Sequence, residues 1–435
     1  MSGPMSAIAT IDKAAVAALS EERLDWRFKA IPPGWWGRSV REVLADEPRL
    51  SDLPTPLLTV SAAAVEHNVA TMAGWCADRG VALAPHGKTT MAPALWAAQL
   101  DAGAWAITLA NVSQLAVARA FGVSRVLIAN EIVSPQALRW LAAELADPEF
   151  EVLVWADSVR TVELMADALD PAGRPVDVLV ELGGAGGRTG ARDRRTALDI
   201  AKAISASPAL RLAGVGGYEA TLVHGTAEPS LERVRSFLEE IVAVHNELSY
   251  PPDVVPVLTA GGSVFFDLVA EVLGPQAGDA RVVLRSGGSV THDDGYHRDS
   301  SPLGLEPRTT GESLIAAIHG WARVSSQPEP GLALVDAGKR DLPYDEGLPE
   351  PQLRRTRADG QAPVRLDGIA MSKMMDQHGF LHFDADEVAP VQVGDVVRFG
   401  LSHPCTAFDK WGLIPVIDDA DAADPRVVDL LRTFF

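Results

Sequence analysis

Eight short apolar runs recur along the first two thirds of the 435-residue chain, and their spacing limits the fold more than any other feature. They are VALAP (81–85), WAITLA (105–110), RVLIAN (125–130), EVLVWAD (151–157), VDVLVEL (176–182), LRLAGVGG (210–217), VVPVLTAGG (254–262) and RVVLRSGG (281–288). Their apolarity is continuous rather than alternating, the pattern of parallel strands covered on both faces. Segments of helical period lie between them, and Ser113, Ser134, Ser158 and Ser230 stand where N-caps are expected. Eight strand–helix repeats over about 230 residues predict an α/β chain built as a (β/α)8 barrel. A doubly wound open sheet is the alternative, but no GxGxxG follows the first strand.

Past residue 308 the helical period fades and strand-like pieces such as GLALVDAG, GFLHFD and GDVVRFGL take over. The reading is therefore a barrel over 58–308 followed by a β domain over 309–435. Residues 1–57, with the aromatic run WRFKAIPPGWWGR, form an N-terminal extension expected to pack on the β domain.

With 38 basic and 58 acidic residues the chain carries a formal charge of −20, which argues against nucleic acid or an anionic membrane surface as partner. Of the two cysteines, Cys76 falls in a helical segment and reads as a small core residue, so no disulfide is expected. No secretory leader pattern and no run of about 18 apolar residues is visible, so a cytoplasmic location is expected.

Barrel chemistry gathers at the C-terminal ends of the strands. That rim reads His86-Gly87-Lys88, Asn111, Asn130-Glu131, Asp157-Ser158, Glu181 through Arg188, Tyr218, Gly261-Gly262-Ser263 and Gly287-Gly288-Ser289. A single GGS turn is most simply a tight bend. Two such turns after the last two strands suit a phosphate, because exposed N–H groups attract an anion without side-chain charge. Lys88 ends the first strand between apolar flanks, which a solvated lysine does not explain. A desolvated amine opposite a phosphate cradle is what a pyridoxal phosphate enzyme uses, so Lys88 is a Schiff-base candidate.

The HGKTTMAP run, ELGGAGGRTG, the Tyr218 segment, TAGGS, RSGGS and LSHPCTAFDKW together resemble the D-serine dehydratase / D-threonine aldolase family, in order from about residue 52 to the C-terminus. These are pyridoxal phosphate enzymes with an alanine-racemase-like fold. The resemblance implies that Lys88 carries the cofactor beside His86, that Arg188 reaches its ring oxygen, and that Tyr218 lies against the ring. Gly261, Gly262, Ser263, Gly288 and Ser289 would hold the phosphate, and His403 and Cys405 would bind a metal. Tyr218 could equally be core, His224 and His292 read as polar loop residues, and Arg285 as a neighbour of the pyridine nitrogen or a buried ion-pair partner.

On an extended segment residues i and i+2 point the same way, so His403 and Cys405 could meet one ion, and a histidine with a thiolate suits Zn2+. Cysteine as the second ligand places the chain on the dehydratase side of the family. Thr89-Thr90 after the lysine and Glu181 in place of the usual Asp are departures that bear on the substrate. The implied activity is elimination of water from a β-hydroxy D-amino acid, D-serine to pyruvate and ammonia, by a homodimer. A D-threonine aldolase-type retro-aldol cleavage, a non-catalytic pyridoxal phosphate-binding protein and a metal-dependent hydrolase are the alternatives.

Overall fold

The computed structural model describes residues 8–170, 173–355 and 362–435. Eight parallel strands form one sheet: Ala82–Leu83, Ile107–Leu109, Arg125–Glu131, Glu151–Ala156, Val176–Leu182, Leu210–Gly217, Val257–Ala260 and Arg281–Leu284. The last strand pairs back onto the first, Leu83 opposite Leu284. The remaining seam, between the first and second strands, is closed by backbone bonds from Trp105 to Leu83 (2.7 Å) and from Thr108 to Pro85 (2.9 Å), and by a bridge between His86 and Thr108. The sheet is a closed barrel.

Continuous apolarity follows from this closure. One side of each strand feeds an interior of Trp105, Leu127, Leu153, Trp155, Leu179, Val257 and Val283. The other side packs against the surrounding helices through Ile107, Val126, Val154, Val180 and Leu258. Ser134 and Ser158 cap their helices as expected. Ser113 and Ser230 do not. Asn111 accepts the N–H of Gln114 (3.0 Å) and starts that helix two residues earlier, while Glu228-Pro229 opens the other without a side-chain cap.

Gly87–Thr89 forms a single 3-10 turn, and the helix begins only at Pro93, running Pro93–Asp101. Proline fits that first turn because its missing N–H would have no helical partner there.

The β domain is an antiparallel sheet built around Ile318–Glu329, flanked by Val396–Gly400 on one side and by Leu57–Ser61 on the other. Leu57–Ser61 precedes the first barrel helix, Ala62–Asp78, yet hydrogen-bonds within the β domain, also lying parallel to Leu413–Ile417. The chain thus starts its barrel from a strand held in the other domain. Of the extension, Leu24, Phe28, Val40, Val43, Leu50 and Leu53 pack on Trp321, Leu413, Ile417 and Leu430 of the β domain, whereas Ala9 and Ile11 join the barrel core. Among the described residues no helix is long and apolar enough to cross a membrane.

Candidate active site

A cavity of about 410 Å³ opens between the C-terminal rim of the barrel and the β domain. That volume is in the range of small-molecule and cofactor sites. Its walls bring together His86, Lys88, Arg188, Tyr218, Gly262, Ser263 and Gly288 from the barrel and His403 and Cys405 from the β domain. Three of its lining residues, Lys88, Arg188 and Arg285, are cationic, against one carboxylate, Glu346. In a chain of net charge −20 this is a local concentration of positive charge. It favours an anionic ligand.

Lys88 is placed by its neighbours. A Cβ on Gly87 would stand 2.6 Å from Ile107 Cγ2 and 2.8 Å from Trp96 Nε1. Only glycine lets the chain turn so close to the barrel wall. Trp96 Nε1 donates to the Gly87 carbonyl (3.1 Å), which ties the turn to the following helix. His86 fills the strand seam beside it. Burial first, then the charges of Lys88, Arg285 and Arg188, hold its ring well below the usual histidine range, so it is neutral, and its buried Nδ1 has no hydrogen-bond partner.

The Arg188 guanidinium lies over the Tyr218 ring, 5.2 Å from the centroid. Burial pushes the Tyr218 hydroxyl up to about 12, so it stays protonated. Arg285 is wholly buried and donates to Thr259 Oγ1 (2.6 Å) and to the Gly217 carbonyl (2.7 Å). Among the described residues its Nε has no hydrogen-bond partner. Burial lowers it to about 10, still charged at neutral pH.

The glycine turns are more divided than expected. Ser263 and Gly288 face the cavity and are joined by a bond from the Gly288 N–H to Ser263 Oγ (3.1 Å). Gly261 and Gly262 donate their N–H groups to the buried carboxylate of Glu219 (2.9 and 3.3 Å), so these donors are engaged inside the protein. Ser289 lies against a separate cavity of about 270 Å³ beside helix Ala62–Asp78, and its hydroxyl donates to the Ser286 carbonyl (3.4 Å). Gly287 is needed for closeness, since a Cβ there would lie 2.5 Å from that of His86.

On the β-domain side, His403 and Cys405 do meet, but not on an extended segment. His403 has φ +67° and stands directly before the short helix Pro404–Phe408. A non-glycine residue in the left-handed region costs on the order of 1–3 kcal/mol. The turn swings the imidazole against the thiol, with which it hydrogen-bonds. The bonds with Cys405 and Asp345 raise the His403 imidazole to about 9 against the effect of burial. Burial would raise the Cys405 thiol, but the bonds to His403 and to Thr89 Oγ1 (3.4 Å) bring it below its ordinary value. His403 Nδ1 is held by Asp345 Oδ2 at 2.6 Å, so Nε2 is the nitrogen that faces Cys405 and that a metal would take over from the thiol. This donor set, an oriented imidazole beside an activated thiol, fits a soft divalent metal such as zinc.

Several residues here were not singled out by sequence. Glu219 follows Tyr218 directly, and Asp345 lies in a loop with no periodicity to mark it. His292 lies in a loop, as read, but is buried there, and burial lowers it to about 4. His224 is exposed in its loop, as read. Cys76 is buried and unpaired, its thiol pushed up to about 12 by burial. Outside the cavity, Glu131, Asp157 and Glu181 approach within 4.8 Å of one another at the ends of three adjacent strands.

The comparisons with known proteins agree with this architecture. The family described as "Alanine racemase, N-terminal domain" matches residues 60–266, and the family described as "Putative serine dehydratase domain" matches 317–417. The chain is 27% identical over 380 residues to D-threonine aldolase of Arthrobacter sp, covering 86% of this chain and 92% of that protein. The crystal structure of D-threonine aldolase from Filomicrobium marinum superposes with a TM-score of 0.73 at 26% identity, covering 88% of this chain and 96% of that one. The D-threo-3-hydroxyaspartate dehydratase from Delftia sp. shares the fold, with a TM-score of 0.68 at 21% identity over 89% of this chain and 99% of that one.

Barrel, β domain and the cavity between them define a protein of the alanine-racemase-like class. Within that class, the two matched domains and the D-threonine aldolase relatives make the chain similar to the D-serine dehydratase / D-threonine aldolase group.

Proposed function

We propose that the protein is a pyridoxal phosphate- and zinc-dependent lyase that removes water from a β-hydroxy D-amino acid, with D-serine as substrate and pyruvate and ammonia as products. One observation carries the reading. Cys405 of the β domain contacts Thr89, the residue after Lys88, so the amine and the His403–Cys405 pair share one cavity. Bound there, the cofactor supplies a sink for negative charge at Cα, and the metal supplies Lewis acidity at the β-oxygen.

The residues divide the remaining work. Lys88 Nζ holds the cofactor and then moves the proton at Cα. Arg188 and Tyr218 form one wall against a planar ring, and the buried Arg285 brings a positive charge to the cavity lining. Ser263 and Gly288 face the anionic end. His403 and Cys405 hold the metal, with Asp345 fixing the imidazole.

A second reading, retro-aldol cleavage, is favoured by the aldolase names of the relatives at 27% and 26% identity. The same lysine and metal pair would serve it. Incubation with D-serine, D-threonine and their L-isomers, read as 2-oxo acid and as aldehyde, decides between the two. We expect 2-oxo acid from D-serine and nothing from the L-isomers. Aldehyde plus glycine from D-threonine as the dominant outcome overturns the dehydratase reading.

A further inference from the structure

The segment Asp293–His297 belongs to no barrel strand, yet it reaches into the cavity. Asp293 is completely buried and gathers three backbone N–H groups: Gly295 (2.9 Å), His297 (2.9 Å) and His403 (3.3 Å). Its second oxygen also takes Nδ1 of His297 in a short hydrogen bond. These bonds fix the carboxylate against His297, so Nδ1 is the nitrogen that faces inward.

With Nδ1 held, Nε2 is the free end. Among the described residues the side-chain hydrogen bond of His297 is the one at Nδ1. The position of Nε2 follows from Gly288, where a Cβ would lie 3.0 Å from His297 Nε2 and 2.9 Å from Ser263 Oγ. The imidazole nitrogen and the hydroxyl therefore converge on one spot beside the second glycine turn, a spot that any side chain would fill. The imidazole is thus oriented from behind by Asp293, with its outer nitrogen turned to the second glycine turn of a cationic cavity.

We infer that His297, oriented by Asp293, is an anion ligand of this cavity: with Nδ1–H kept by Asp293 it takes a second proton on Nε2 as the anion binds, and donates Nε2–H to a phosphate seated beside Ser263 Oγ and Gly288. For pyridoxal phosphate the inference rests on the proposed function, though the convergence itself does not. It also replaces donors that the sequence assigned to Gly261 and Gly262, which Glu219 already engages.

The test compares pyridoxal 5′-phosphate with pyridoxal, which lacks the phosphate, by absorbance titration of wild type, His297→Ala and His297→Gln. A charge-assisted hydrogen bond lost from the phosphate lowers affinity for the phosphorylated compound roughly 10- to 100-fold. Affinity for pyridoxal should stay within about twofold, so the ratio collapses, and His297→Gln should recover part of it. A variant that keeps the wild-type ratio, or loses both ligands equally, overturns the inference.

A measurement on the unmodified protein guards against a variant that fails to fold. With 15N-labelled histidine, inorganic phosphate should move the Nε2 resonance of His297 while Nδ1 stays bonded. If phosphate moves it but neither pyridoxal compound binds, the cofactor reading fails and the anion site stands. If phosphate leaves it unmoved, the anion site fails.

Discussion

In the barrel, each cavity-facing group follows a strand whose position the sheet dictates: Lys88 after the first, Arg188 after the fifth, Tyr218 after the sixth, and Ser263 and Gly288 after the last two. In the β domain, His403 and Cys405 come from one turn, held by a left-handed residue and by side-chain bonds to Asp345 and Thr89. The barrel half is redundant, because the sheet would hold the lysine turn even if one contact were lost. The β-domain half depends on a few bonds. Cofactor binding should therefore survive damage to the metal half, whereas damage to the lysine should remove both.

The largest expected effect is at Lys88. Lys88→Ala removes the group proposed to hold the cofactor and to move the Cα proton, so visible absorbance and 2-oxo acid formation should both be lost. The remaining rate should be at least about a thousandfold below wild type. Borohydride reduction of the wild-type holoenzyme should fix the cofactor to the peptide containing Lys88. Labelling at another lysine would remove the barrel half from the proposal.

Next comes the metal half alone. Cys405→Ala should keep the cofactor's absorbance and still exchange the Cα proton of D-serine with solvent. A Lewis-acid contribution of several kcal/mol implies that 2-oxo acid formation falls roughly a thousandfold. Chelation of the wild type should reproduce this, with zinc restoring the chelated wild type but not the variant. A Cys405→Ala protein that eliminates water normally would make the pair structural.

This asymmetry also explains what the sequence could reveal. The eight strands were legible because parallel strands buried on both faces have an apolar signature, and a residue at a strand end inherits its place from the sheet. The lysine turn was legible for the same reason. Glu219 was not, because a carboxylate that satisfies Gly261 and Gly262 is invisible until both loops are placed. The convergence of His403 and Cys405 was expected from an extended chain and arises from a φ of +67°, a conformation that the identity of His403 does not announce. The place of Leu57–Ser61 in the β domain, rather than in the barrel it adjoins, depends on pairing with residues more than 250 positions away.

A smaller effect sharpens the second half further. Asp345 Oδ2 fixes His403 Nδ1 at 2.6 Å, and Thr406 Oγ1 donates to the other oxygen (2.7 Å). Asp345→Asn keeps the shape but exchanges the carboxylate for an amide. Metal affinity, read by competition with a chromophoric chelator, should fall about 10- to 100-fold, while cofactor absorbance is unchanged. An unchanged metal affinity would mean that the turn, not the carboxylate, orients the imidazole.

The smallest effect tests whether the strand-end carboxylates beside the cavity are a metal site or a proton-sharing group. Burial first, then the neighbouring Glu131, pushes Glu181 up to about 9 from an ordinary value of 4.5. Thr189 Oγ1 donates to its Oε1 (2.9 Å), and Oε2 has no other partner. In the folded protein Glu181 thus keeps its proton at neutral pH, whereas the unfolded chain releases it. Between those two values the folded state binds more protons, so the contribution of Glu181 to stability is fully present below 4.5 and is lost as pH rises towards 9. One proton sets a slope of up to about 1.4 kcal/mol per pH unit. Glu181→Gln is neutral at every pH, can accept from Thr189 and can donate to Glu131. Urea unfolding between about pH 5 and 8.5 should show part of the wild-type decline missing in the variant, leaving it the more stable protein at the alkaline end. An unchanged slope would mean that Glu181 is ionised in the fold, and that a cation rather than a shared proton balances the three carboxylates.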